Sequence, residues 1–208
     1  PKNRNLLYVG TEFGLFISLN GGQRWQKFMN NYPTVRTDDI LIHPREGDLI
    51  AASHGRSLYI VDDITPLQQL TPDVLSQDAF LFDVRTGVAY VNDQTHGEYV
   101  GGQKVFLGEN APRGAMINYY LRSPASGDVK ISIADANGRV VRTMDGTKVT
   151  GINRVLWSFA GGGGGGGGGR GGGNPPVEPG KYVVTLTVGG KTLTKPATGL
   201  EDRWLSER

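Results

Sequence analysis

The chain has 208 residues, with 22 basic and 20 acidic side chains and a net charge of +2, so it lacks the basic excess of nucleic-acid-binding proteins. It contains no cysteine, which excludes disulfides, thiolate metal sites and cysteine nucleophiles. No apolar stretch approaches the roughly 20 residues that span a membrane.

The first seventy residues predict short strands joined by tight turns. Apolar, β-prone runs occupy 6–11, 15–18, 25–29, 39–43, 49–53 and 58–62. Tyr8 and Ile50 are offset by 42 residues, and Phe16 and Tyr59 by 43. Repeats of about 40–45 residues with four strands each are typical of β-propeller blades. The first unit has no counterpart of the 39–43 strand, so 1–70 is predicted as the last one to two blades of an incomplete propeller.

The next segment, 71–114, is predicted as a linker. Thr71 followed by Pro72 indicates the start of a short helical turn that ends near residue 77. Residues 79–84 and 87–91 are candidate strands, and 92–114 is polar and irregular.

Strands return in the C-terminal part of the sequence. The runs are 115–122, 128–134, 140–144, 153–159, 181–188 and 191–195, with hairpin signals at residues 137–138 and 189–190. Six strands in this length predict an Ig- or fibronectin-like β-sandwich at 115–198, followed by a tail at 199–208. The glycine-rich stretch at 160–174 is predicted as a mobile loop of the sandwich. A phosphate-binding loop would require a lysine and a helix after the glycines, and neither follows.

Ser18, Asn20, Gly22 and Trp25 match the pattern Ser-x-Asp-x-Gly-x-x-Trp, with asparagine in place of aspartate. The pattern resembles the Asp-box, or BNR repeat, of sialidase-like and sortilin-like β-propellers. There the Asp or Asn side chain bonds backbone amides of the turn, the glycine permits the reversal, and the tryptophan packs between sheets. The motif therefore favours a fold and predicts no chemistry.

Further segments extend this resemblance over most of the chain. Residues 39–49, 53–56 and 61–64 resemble the final blade of bacterial sortilin-type, glycosyl-hydrolase-like repeat proteins. Residues 108–112, 117–121 and 179–182 resemble the Ig-like domain of the flagellar hook-capping type that often follows it. The resemblance implies a secreted, periplasmic or cell-surface bacterial protein.

The sequence offers one candidate binding pair and no catalytic residue. His54 and Arg56 lie at a strand-to-strand turn, where they either bind an anionic group or simply complete a hydrogen-bonded turn. Asp62 and Asp63 are adjacent, so on a strand they would point to opposite faces, unlike the facing carboxylates of a glycosidase. They are interpreted as capping the turn at 64–66, and Asp38–Asp39 is interpreted in the same way.

Metal, cofactor and sugar sites are not predicted. His43, His54 and His96 lack the spacing of zinc ligands, and no cofactor motif is present. Trp25 and Trp157 are predicted as core residues, and Trp204 as a residue that docks the tail.

Three functional hypotheses follow from these patterns. The leading one is a non-catalytic binding or assembly part of a sortilin-like propeller, completed by the remainder of its own propeller or by another chain, with peptide or carbohydrate as further candidate ligands. The alternative is the C-terminal part of a glycoside hydrolase whose catalytic residues lie upstream. A third hypothesis is a peptide binder that uses the propeller tunnel.

Overall fold

The structure, a computed structural model, describes residues 2–89, 112–161 and 177–203. The described chain is an all-β protein with two short helices. The strands are β1 (Leu7–Thr11), β2 (Gly14–Ser18), β3 (Gln26–Lys27), β4 (Thr37–Ile42), β5 (Leu49–Ser53), β6 (Leu58–Val61), β7 (Ala79–Leu81), β8 (Gly87–Ala89), β9 (Ala115–Leu121), β10 (Val129–Asp135), β11 (Val140–Asp145), β12 (Gly151–Trp157), β13 (Gly180–Val188) and β14 (Lys191–Glu201). Helices α1 (Thr65–Gln69) and α2 (Pro72–Ser76) lie between β6 and β7.

Two three-stranded antiparallel sheets form the N-terminal part. Sheet I has the strand order β1-β2-β3, and sheet II has the order β4-β5-β6. Val9 pairs with Phe16 across sheet I, and Ile50 pairs with Ile60 across sheet II. Their strands are apolar at successive positions, and successive side chains point to opposite faces, so both faces of each sheet carry apolar side chains.

Sheets I and II pack against each other through one face each. Leu15 of sheet I, Leu49 and Ala51 of sheet II, and Ile64 after β6 are buried in this shared core. Tyr8 packs against it from β1. The opposite face of each sheet points away from the core.

The helices follow β6. The predicted helix start at α2 is confirmed, since Thr71 Oγ1 accepts a hydrogen bond from Val74 N at 3.3 Å and proline occupies the first position. Helix α1 was not predicted. It follows Asp63, whose Oδ1 accepts a hydrogen bond from Thr65 N at 3.1 Å. Five residues are too few to show a helical period, so this segment resembles a turn in the sequence.

Two further sheets, of three and five strands, form the rest of the described β-structure. Sheet III has the order β12-β9-β7, and sheet IV has the order β11-β10-β13-β14-β8. Strand β8 pairs parallel with β14, with Gly87 opposite Gly199. Strands β7 and β8 thus come from the segment predicted as a linker, and β14 continues through Glu201 into the predicted tail. These short segments become strands because they pair with strands that are distant in the sequence. Local composition does not reveal such pairing.

Sheets III and IV pack face to face around the largest core. Trp157 of sheet III lies at its centre, with its ring centroid 4.5 Å from that of Phe159 and 5.0 Å from that of Tyr182 in sheet IV. Trp157 is fully buried, which confirms its prediction as a core residue. Apolar side chains alternate along β10 and β13, so one face of sheet IV supplies Ile131 and Val184 to the same core.

Strand β9, in the middle of sheet III, is buried along its whole length. Ile117 and Tyr119 belong to the core shared with sheet IV. Asn118 and Tyr120 alternate to the other face, where Val74 of α2 packs with Tyr120. Sheet III is therefore covered on both faces.

The strands predicted for 6–62 and 115–195 are present, with shifted ends. The largest changes are a shorter β3 and a longer β14. Parts of four predictions lie outside the described residues: the strand at 87–91 beyond residue 89, the irregular segment 92–111 with His96, the glycine-rich loop from residue 162, and Trp204.

Candidate functional site

The turn after β2 is held by hydrogen bonds from side chains to backbone, as its sequence predicts. Ser18 Oγ accepts a hydrogen bond from Gly22 N at 2.9 Å, and Asn20 Oδ1 accepts one from Arg24 N at 2.8 Å. Gly21 and Gly22 have φ values of 69° and 91°, a region that favours glycine. The polar side chains of this turn are engaged by its own backbone, so they serve the turn and not a reaction.

Trp25 differs from its prediction. It was expected to be a core residue on a strand that packs between sheets, but it precedes β3 and is 40 % exposed. A methyl group on Gly22 would meet Leu7 Cδ1 at 3.6 Å and Trp25 Cζ2 at 3.8 Å. Trp25 therefore lies near Leu7, which alternates away from the core shared with sheet II, and no described sheet covers that side.

The predicted binding pair lies in the hairpin between β5 and β6. Ser53 N donates to Ser57 O at 3.1 Å and closes the hairpin. His54 Nδ1 lies 3.2 Å from Asp38 Oδ2 of β4, whereas Arg56 is exposed in the same turn. The structure thus brings His54 to a carboxylate and leaves Arg56 at the protein surface.

Asp38 occupies a bulge of β4, where the pairing with β5 shifts register. Its Oδ1 accepts a hydrogen bond from Arg36 Nε at 2.5 Å. This bond lowers the pKa of Asp38, and the contact with His54 adds to the effect. Asp38 is consequently ionised and paired at neutral pH, which suits a structural ion pair and not a general acid.

A buried polar junction that the sequence does not predict joins sheet II to sheet III. Asn118 Nδ2 donates to Asp63 Oδ2 at 3.0 Å, and both residues are buried. Arg154 Nε donates to Asn118 Oδ1 at 2.7 Å, and Arg154 Nη2 donates to the carbonyl oxygens of Asp62 and Asp63 at 2.9 and 3.2 Å. The available signal was an amide in the middle of the apolar run of β9, since buried amides require partners.

Asp48 extends this junction toward β8. Its Oδ1 accepts hydrogen bonds from Asp63 N at 2.8 Å and from Arg85 Nη1 at 2.6 Å. Arg85 Nη1 also donates to the carbonyl oxygen of Glu46 at 2.6 Å. Arg85 thus pairs with the Asp48 carboxylate, while Arg154 is held by the Asn118 amide and two backbone carbonyls. These contacts fix sheet II against sheet III.

The adjacent carboxylates Asp62 and Asp63 play different roles. Asp63 bonds Thr65 N and Asn118, which confirms that it caps the turn. Burial raises the pKa of Asp62, and the charge of Asp48 raises it further. The two carboxylates do not form a pair across an open cleft, the arrangement that a glycosidase requires.

A cavity of about 170 Å³ lies between sheets I and II, beside β6. Tyr32 and Tyr59 line it with their ring centroids 4.8 Å apart in an edge-to-face arrangement. Phe28, Asn30 and Asn31 complete one wall. The lining is aromatic with amides, so the cavity suits an apolar group better than a charged one.

Comparisons with protein-family models, with curated proteins and with solved structures found no match for this chain. Within 2–89, 112–161 and 177–203, no group of three or more His, Cys, Asp or Glu residues could hold a metal ion. None of the helices in these ranges has the length and apolar character of a membrane span.

Proposed function

We propose that this chain is a non-catalytic binding and assembly part of a ring-shaped all-β protein. In this proposal sheets I and II are neighbouring terminal blades of a β-propeller, and sheets III and IV are an Ig- or fibronectin-like β-sandwich. The observation that carries the proposal is that sheets I and II each expose a second apolar face. Contiguous apolar surface of this kind marks sites of association, because its removal from water is favourable.

The outer face of sheet II is a row of aliphatic side chains across its three strands. Leu41 and Ile60 are 55 % and 58 % exposed, and Ile50 lies between them in register. Leu58 is 61 % exposed on the same face. A further sheet packed about 10 Å away would cover these side chains, as neighbouring sheets do in stacked β-structures.

The outer face of sheet I, which points away from the core shared with sheet II, also carries exposed apolar side chains. Leu7 and Val9 are exposed on β1, and Trp25 is exposed near Leu7. In a ring of blades each sheet packs against two neighbours, so both outer faces would be buried. The exposure of Trp25, unexpected for a core residue, is then explained by the position of the next blade.

Two features of the C-terminal part support the sandwich. The Tyr182 hydroxyl, near the start of β13, donates to the carbonyl oxygen of Glu178, four residues earlier. This is the arrangement of the tyrosine corner in Ig-like domains. A tryptophan buried between the two sheets, here Trp157, also recurs in that architecture.

The sortilin-like resemblance extends the proposal to a secreted, periplasmic or cell-surface bacterial protein. The partner on the exposed faces is the remainder of the same propeller or another protein chain, and peptide or carbohydrate is a candidate ligand. The alternative of a glycoside hydrolase with upstream catalytic residues stays a prediction.

The exposed faces can be tested with the chain of residues 1–208. We expect it to bind a hydrophobic dye and to self-associate at micromolar concentration in sedimentation experiments. The double variant Leu58→Lys and Ile60→Lys should remove much of both effects. Each buried aliphatic side chain contributes about 1.5–3 kcal/mol, so the association midpoint should move at least about tenfold upward in concentration.

The matched control is the double variant Val140→Lys and Val149→Lys, which changes two exposed valines of the C-terminal part. It should leave dye binding and association unchanged. A native chain that remains monomeric and binds no dye would contradict the proposed assembly function.

A further inference from the structure

Strand β6 is one of the two outer strands of sheet II, and no described strand pairs with its second edge. Ser53 N bonds Ser57 O across the hairpin, so 53/57 is a hydrogen-bonded pair. In an antiparallel ladder such pairs recur at every second residue, here Ala51/Tyr59 and Leu49/Val61. The N–H and C=O groups of Leu58 and Ile60 consequently point toward the open edge, where a further strand can bond them.

The two faces of sheet II beside this edge differ in exposure and shape, so they favour different side chains on an added strand. Leu58 and Ile60 are exposed on the outer face. Tyr59 and Val61 point to the inner face and line the cavity of about 170 Å³. A cavity of about 150 Å³ can hold benzene, so this one has room for an aromatic side chain.

Charge distinguishes one end of the edge from the other. Arg36 and His54 both contact Asp38, so the Arg36 guanidinium is paired and the His54 ring has a hydrogen-bond partner. Arg56 precedes β6 by two residues, is exposed, and has no acidic partner among the described residues. An acidic residue on an added strand would complement it.

We propose that the open edge of β6 binds an extended peptide segment as an antiparallel fourth strand. Its first apolar residue lies opposite Ile60, an aromatic residue follows opposite Tyr59 and enters the cavity, and a second apolar residue lies opposite Leu58. An acidic residue two positions later reaches Arg56. Backbone hydrogen bonds supply affinity in such strand addition, and the alternating side chains supply specificity. The inference rests on the proposed assembly function and names the edge and the sequence pattern of the partner.

The probe is a peptide with the central sequence Val-Phe-Val-Thr-Glu, titrated up to about 1 mM into fluorescein-labelled full chain that is held at a concentration below its own association midpoint. We expect saturable binding with a dissociation constant on the order of 0.1 mM. Replacing the central Phe of the peptide by Gly should weaken binding by about tenfold or more, because the cavity then stays unfilled.

Two variants of the chain test the geometry. Ile60→Pro removes an N–H that points outward, and proline is tolerated on an edge strand in this orientation. It should weaken binding by about tenfold through loss of one hydrogen bond and the bulk of the ring. Arg56→Glu should weaken binding of the Glu peptide by about fivefold, and a Val-Phe-Val-Thr-Lys peptide should regain it.

Arg24→Glu, at an exposed arginine in the turn of sheet I, is the control for charge and should bind the Glu peptide like the native chain. Circular dichroism confirms that each variant is folded. Absence of saturable binding at about 1 mM peptide, or binding indifferent to Ile60→Pro, overturns the edge site. Dye binding and self-association report on the exposed sheet faces and do not depend on peptide binding. If both are observed but the peptide does not bind, the edge site is overturned and the proposed assembly function still holds.

Discussion

Among the described residues, sheets III and IV enclose sixteen buried hydrophobic residues, whereas sheets I and II share five. The larger core is closed by two sheets of complementary apolar faces, and sheet III is also covered on its second face. Sheets I and II carry apolar side chains on both faces, but only one face of each sheet is covered. Both regions consist of short strands, but sheets III and IV bury their apolar faces within the described chain. Sheets I and II leave one apolar face each exposed to solvent.

The largest expected effect is in the closed core. Trp157→Ala should destabilise the protein by about 3–5 kcal/mol, because the large ring leaves a cavity that tightly packed neighbours cannot fill. Leu15→Ala in the N-terminal core should cost only about 2 kcal/mol, since Leu15 already lines a cavity. Denaturant unfolding followed by circular dichroism measures both values. Equal costs would mean that sheets I and II are packed as tightly as sheets III and IV.

The junction between the two regions comes next. Asn118→Ala leaves the buried Asp63 carboxylate without its amide donor and should cost about 2–3 kcal/mol. Scanning calorimetry should then show the two regions unfolding in separate transitions. Gln69→Ala, which removes the exposed bonds to Asp83, is the control and should cost about 0.5 kcal/mol. A single unchanged transition in Asn118→Ala would show that the junction does not couple the regions.

Asp62 gives the junction a pH dependence. Its pKa in the folded protein is raised by burial and by Asp48, against the opposing charges of Arg154 and Arg85. The folded state therefore holds the proton more tightly than the unfolded state, so Asp62 lowers stability as pH rises from about 3.9 through its folded pKa.

Asp62→Asn should be more stable than the native chain at pH 7, and the advantage should disappear near pH 3. Denaturant midpoints at both values test this, with an effect smaller than that of Asn118→Ala. An advantage of equal size at both pH values would assign the effect to packing and not to ionisation.

The smallest effect is expected inside sheet I. The Tyr8 hydroxyl is buried and makes no hydrogen bond within the described part of the chain, and burial raises its pKa. Removing an unpaired buried polar group is favourable, so Tyr8→Phe should stabilise the protein by about 1 kcal/mol or less. A thermal melt measures the change, and a loss of stability would indicate that the hydroxyl has a partner, such as water.

The sequence was most informative where structure is local. The turn of Ser18 and Asn20 and the helix cap at Thr71 depend on residues within a few positions of each other, and both were predicted. The partners of β7 and β8, by contrast, are distant in the chain. The junction of Asp63, Asn118 and Arg154 also needs three segments to meet, and no local pattern encodes that meeting. Arg56 was predicted at a turn, but its position beside an open strand edge depends on β6 being an outer strand of sheet II, which the sequence does not show.

The parallel pairing of β8 with β14 has a consequence for the order of folding. Gly87 and Gly199 meet although they lie more than a hundred residues apart in the chain. Closing so long a loop costs conformational entropy, and this cost is offset only when the strands have paired. Such non-local contacts therefore form slowly. During synthesis β8 emerges long before its partner strand is made. The N-terminal sheets and helices can therefore fold first, whereas β8 can join sheet IV only after β14 has been synthesised.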